Sequence, residues 1–104
     1  MAGSIMIRAN KKGELTTVKA LIKHPMETGL RKDKKSGKKI PAHFIQEVSC
    51  KHAGKEVMSA QWGASVSKNP YFTFRFRGAD KGDRVTLTWV DNQGGSESKE
   101  TEVA

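Results

Sequence analysis

Apolar and polar residues alternate along most of this chain, turn-forming residues separate the alternating runs, and no segment carries convincing helical spacing. Together these observations predict an all-β fold. The first run sets Ile5, Ile7 and Ala9 against Met6, Arg8 and Asn10, as a half-buried strand does. In the second, Val18, Ala20 and Ile22 alternate with Thr17, Lys19, Leu21 and Lys23. The third covers Ala42 to His52, with Phe44, Val48 and Cys50 on one face and Gln46 interrupting it. His43, Glu47, Ser49 and Lys51 lie mainly opposite, with Ile45 among them.

Ala53-Gly54-Lys55 reads as the short turn of a hairpin into a fourth strand, Lys55 to Trp62. Phe72, Phe74 and Phe76 alternate with Thr73, Arg75 and Arg77 in the cleanest period-two run of the chain. Asp80-Lys81-Gly82-Asp83 turns into a sixth strand, where Val85, Leu87 and Trp89 face away from Arg84, Thr86 and Thr88. Asn92-Gln93-Gly94-Gly95 turns again, into a polar last strand near Ser96 to Val103. About seven short antiparallel strands favour an immunoglobulin-like β-sandwich, with a small closed barrel as the alternative. The expected core is Ile5, Ile7, Val18, Ala20, Ile22, Phe44, Val48, Val57, Phe72, Phe74, Phe76, Val85, Leu87 and Trp89.

A chain of 104 residues, 36% hydrophobic with two tryptophans, is expected to be one small folded domain over residues 1–104. Its net charge of +8 is unevenly placed. Through Lys55 there are 13 Lys and Arg against 4 Asp and Glu, and afterwards 6 against 7. Most of the excess lies in Arg31, Lys32, Lys34, Lys35, Lys38 and Lys39, with Asp33 among them. Such a run is either a solvated loop or a surface that steers an acidic partner, and charge alone does not choose.

The stretch from His24 to Asp33 carries more than charge. Pro25 ends the second strand, Gly29 allows a tight reversal, and Met26 and Leu30 are apolar residues in a loop. Loop residues of that kind pack against something. With Trp62, Val66, Pro70 and Tyr71, which strand phase leaves outside the expected core, they form a candidate partner interface. Ordinary packing at the end of a sandwich is the competing explanation.

Chemistry is sparse. Cys50 and His52 share a strand face, but a zinc site would need further ligands, and only His24 and His43 remain. Cys50 runs in phase with Val48 and Phe44, which predicts a buried, unreactive thiol. As the single cysteine it can form no internal disulfide. The acidic residues are scattered over turns and the last strand, and no glycine-rich loop precedes a helix. The expectation is therefore no catalytic residue, no cofactor and no metal. A basic β-domain that binds nucleic acid is the alternative, although Phe74 and Phe76 face opposite Arg75 and Arg77 rather than beside them. Met1 to Asn10 has no export-signal pattern and no stretch reaches membrane-spanning length, which by itself predicts the cytoplasm and no membrane partner.

Several segments, in their order and spacing, are similar to one family. They are His24-Pro25-Met26-Glu27-Thr28-Gly29, Arg31-Lys32-Asp33, Ile40-Pro41-Ala42-His43-Phe44-Ile45, Ala60-Gln61-Trp62-Gly63, Ser67-Lys68-Asn69-Pro70 before Phe72-Thr73-Phe74-Arg75-Phe76, and Thr88-Trp89-Val90-Asp91-Asn92. Over nearly its full length the chain resembles the SoxZ family, subunits of the SoxYZ sulfur-carrier complex of bacterial thiosulfate oxidation. The resemblance implies an immunoglobulin-like, non-catalytic companion of SoxY, in a heterodimer or a higher assembly. SoxY carries sulfur intermediates on a cysteine in a mobile C-terminal arm, whereas this chain ends Lys99-Glu100-Thr101-Glu102-Val103-Ala104. It also implies transient contacts with other enzymes of the pathway and a periplasmic site reached by export with a signal-bearing partner. In that oxidising compartment Cys50 is expected to be either buried or paired between chains.

Overall fold

The computed structural model describes residues 4–104, so the start of the Met1–Asn10 segment considered for export lies outside the described residues. Seven antiparallel strands form two sheets among them. These are β1 (Ile5–Lys12), β2 (Leu15–Ile22), β3 (Ile45–His52), β4 (Lys55–Gln61), β5 (Tyr71–Arg77), β6 (Arg84–Asp91) and β7 (Ser96–Glu102). One sheet has the order β1-β2-β5 and the other β4-β3-β6-β7. The β3–β4 hairpin closes through Ala53 and Gly54, both at positive φ (51° and 78°), the geometry of a two-residue turn that matches strand twist.

The alternation read from sequence places the core. Ile5, Val18, Ala20 and Ile22 from the three-stranded sheet share one buried cluster with Val48, Cys50, Val85, Leu87 and Trp89 from the other. At one end the sheets are tied together: Ala104 N–H donates to Ala9 O, and Lys11 N–H to Ala104 O, each at 2.9 Å.

Two expectations about the core are corrected. Ile7, Phe44, Val57, Phe72 and Phe74 are only partly buried. Ile7, Val57 and the two phenylalanines lie on β1, β4 and β5, the edge strands, where a side chain has a neighbouring strand on one side only. Phe44 precedes β3. Conversely Ile45 is fully buried, although simple alternation places it opposite Val48. A bulge causes this: on β3 the pairing with β6 jumps from Ile45 to Glu47 while β6 advances one residue, leaving Gln46 as the extra residue. The bulge resets the phase, so Ile45 and Val48 both point inward.

Candidate functional site

The chain leaves β2 at Ile22 and re-enters a sheet at Ile45, and the segment between them is pinned at its base by buried polar groups. His24 is 3% exposed. Its backbone is held by Asn69, whose Oδ1 accepts the His24 N–H and whose N–H donates to the His24 carbonyl, both at 3.0 Å. Met26 N–H donates to His24 Nδ1 at 3.1 Å, so the ring proton resides on Nε2. That Nε2–H is aimed at Asp91 Oδ2, 3.1 Å away at the end of β6. His43 Nε2 reaches the same oxygen at 2.7 Å, with the two imidazole rings 4.5 Å apart. The other oxygen, Oδ1, accepts the N–H groups of Gln93 (3.0 Å) and Gly95 (2.7 Å).

Burial pushes the Asp91 carboxyl pKa up, but the hydrogen bonds from His24, His43, Gly95 and Gln93 outweigh it and hold the group below its ordinary value. Gly95 is required by this crowding. A Cβ there would stand 2.8 Å from Asp91 Oδ2 and 3.0 Å from Oδ1.

Sequence reasoning did not connect these three residues. One donor atom from each of His24, His43 and Asp91 lies within 4.8 Å of the others, a spacing a metal ion could use. The donor chemistry argues against it. His24 Nε2 could ligate only if its proton moved to Nδ1, where the Met26 N–H already points. His43 and Asp91 would then be left, short of a four-ligand site. The trio is a hydrogen-bonded latch that fixes both ends of the intervening segment. The legible signals were an Asp at a strand end before Asn-Gln-Gly-Gly, which favours closing a turn, and a His directly before a proline.

Beyond the latch the segment is a narrow paired arm rather than a solvated connector. Glu27 and His43 exchange backbone hydrogen bonds of 2.6 and 3.0 Å. Further out, Ile40 N–H donates to Arg31 O and Asp33 N–H to Lys38 O, each at 2.8 Å. Arg31, Lys32, Lys34, Lys35, Lys38 and Lys39 are all exposed on it. Arg31 is not free charge. Its guanidinium grips Glu27 through Nη2 (2.6 Å) and Nε (3.1 Å), and that hydrogen bonding outweighs desolvation and holds the Glu27 carboxyl below its usual range. The net positive charge of the arm therefore rests on its lysines.

The six apolar interface candidates separate. Met26 (5% exposed) and Pro70 are buried within the chain, which corrects their placement outside the core. Met26 sits at φ 48°, and its Sδ accepts the Ile45 N–H at 3.4 Å, so it belongs to the base of the arm. Trp62 and Val66 pack half-buried against the core, with Trp62 edge-on to Phe72 at 5.3 Å. Leu30 (77%) and Tyr71 (63%) remain fully available.

Cys50 is fully buried, and burial pushes its thiol pKa up to about 11. His52 is engaged elsewhere, its Nε2 at 2.7 Å from Asp83 Oδ2. At pH 8 a thiol with that pKa is ionised in roughly one molecule per thousand. A thiol reagent such as DTNB should thus leave the native protein unlabelled for many minutes and titrate one thiol at once in denaturant. Rapid native labelling would show an accessible Cys50.

A two-sheet chain whose thiol is buried and whose exposed features are a basic arm and surface apolar side chains has the make-up of a protein-binding module. The chain belongs to the family described as sulphur oxidation protein SoxZ, whose model matches residues 5–102. Its role is that of the non-catalytic subunit of the sulfur-carrier complex that pairs with SoxY, and members of the family work in the periplasm. Among curated proteins no sequence matches. Among solved structures the chain is similar to a superoxide reductase in the oxidised state, with TM-score 0.66 and 17% identity over 96% of this chain and 86% of that one. At that identity the likeness is one of fold alone. No helix among the described residues is long and apolar enough to cross a membrane.

Proposed function

We propose that the chain is a single immunoglobulin-like sandwich over residues 1–104 that forms a periplasmic heterodimer with SoxY. In that complex it helps present SoxY's cysteine-bearing C-terminal arm to the enzymes of the pathway. The division into β1-β2-β5 and β4-β3-β6-β7 supports the sandwich reading. Leu30 and Tyr71 are the apolar candidates that keep surface to offer a partner.

The observation that carries the presenting role is the basic arm, bridged at Glu27–His43 and Lys32–Lys39, held at its base by the Asp91 latch and loaded with exposed lysines. Rigid positive charge near a carrier steers acidic enzymes towards it, an effect that weakens as salt screens it. Neutralising Lys32, Lys34, Lys35, Lys38 and Lys39 to Gln in the SoxYZ complex should lower kcat/KM of sulfur oxidation by the pathway enzymes about three- to tenfold at low salt. The salt dependence should flatten as well. An unchanged rate with an unchanged salt dependence would remove the arm from steering.

A further inference from the structure

The outer face of the three-stranded sheet has an unusual composition. Strand phase and register put Met6, Arg8, Asn10 and Lys12 of β1 beside Lys12's partner Leu15, then Thr17, Lys19 and Leu21 of β2, with Tyr71, Thr73, Arg75 and Arg77 of β5 beyond. Three of the four large hydrophobic side chains exposed among the described residues lie here: Met6 (51%), Leu15 (39%) and Tyr71 (63%). Met6 pairs with Leu21 and Leu21 with Tyr71, so these three form one apolar row across all three strands. The row borders an open depression with Arg8, Lys19 and Lys99 on its rim. Five of the face's side chains are basic, Arg8, Lys12, Lys19, Arg75 and Arg77, and none is acidic.

We infer that this face seats the partner subunit: the Met6–Leu21–Tyr71 row packs against an apolar patch on SoxY, and Arg8, Lys19 and Arg75 pair with acidic side chains around that patch. The inference rests on the reading that the chain pairs with SoxY, and it says where. A surface used only for electrostatic steering keeps its charges hydrated and needs no apolar row. An apolar row on a sheet face is what a lasting partner covers. The uniform sign of the surrounding charge sets the partner's chemistry, because like charges across an interface are penalised. Nucleic acid fits less well, since Tyr71 is the single exposed aromatic among the described residues and offers no platform for successive bases.

Hydroxyl-radical footprinting of the free chain and of the wild-type SoxYZ complex tests this without any variant, because methionine and tyrosine are both oxidised readily. Oxidation of Met6 and Tyr71 should fall several-fold in the complex. In binding assays with SoxY, the Met6→Asp/Tyr71→Asp double variant should raise Kd at least about tenfold. Arg8→Glu/Lys19→Glu should slow association about tenfold at low salt. Unprotected Met6 and Tyr71 together with a wild-type Kd for the double variant would overturn the inference and leave the pairing standing. Loss of binding with Leu30→Asp alone would move the interface to the arm and overturn it too. If the wild-type chain formed no complex with SoxY, the pairing itself would fail. A gel shift with duplex DNA, abolished by Arg8→Glu/Lys19→Glu while SoxY binding stayed intact, would reassign the face to nucleic acid.

Discussion

Replacing Asp91 with alanine is expected to lower the unfolding free energy by roughly 3–5 kcal/mol at neutral pH. Asp91 is 4% exposed, and its carboxylate accepts hydrogen bonds from two imidazoles and two backbone N–H groups. Alanine would leave the buried His24 Nε2–H and the part-buried His43, Gln93 and Gly95 donors without their acceptor, and a fully buried orphan costs about 1–3 kcal/mol. Asparagine should recover little. All four partners are donors, so its NH2 would confront two of them wherever its oxygen pointed. The pH dependence has a definite sign. The folded-state pKa of Asp91 is depressed, so its contribution is complete above the ordinary aspartate value of about 3.9 and is lost as pH falls through the lower folded value. Urea unfolding at neutral pH and at steps below pH 4 should therefore show the gap between wild type and Asp91→Ala closing in acid. An Asp91→Ala variant as stable as wild type at neutral pH would show that the latch contributes nothing.

The fold was legible where it depended on one strand at a time. Alternation in Val18-Lys19-Ala20-Leu21-Ile22 and in Val85 to Trp89 identifies the strands and their inward faces, because one buried face imposes period two. It failed at Ile45, where an inserted residue shifts the phase and leaves no mark on composition. It overstated burial at Val57, Phe72 and Phe74, because a strand's place at a sheet edge is decided by pairing between distant segments. The latch was illegible for a similar reason. His24 and Asp91 are separated by 67 positions, and only the β3–β6 pairing brings β6's end beside the base of the arm.

That same long-range pairing bears on function. The arm's lysines project from a ribbon whose two ends meet at Glu27 and His43, and His43 is fastened to the sheet through Asp91. A steering charge acts on encounter through its average position, so an anchored ribbon gives a field of fixed direction. Weakening the latch should therefore affect presentation of the carrier arm before it unfolds the sheets.

Trp89→Ala should be the most damaging change within the apolar core, at roughly 3–5 kcal/mol. Trp89 is 5% exposed on β6, opposite Val48, and its Nε1–H donates to Ser4 Oγ at 3.3 Å. Its ring meets the His24 ring edge-on at 5.2 Å, so it is also one wall of the latch. Truncation opens a cavity beside His24 and strips the imidazole of the contact that orients it towards Asp91. Trp89→Phe keeps most of the wall and forfeits the N–H, and should cost about 1–2 kcal/mol. A double-mutant cycle separates the wall from the bulk of the core, with stability followed by circular dichroism. If Trp89 acts partly through the latch, Trp89→Ala and Asp91→Ala together should cost less than their sum by about 1 kcal/mol or more. Strict additivity would mean that Trp89 only fills space and takes no part in the latch.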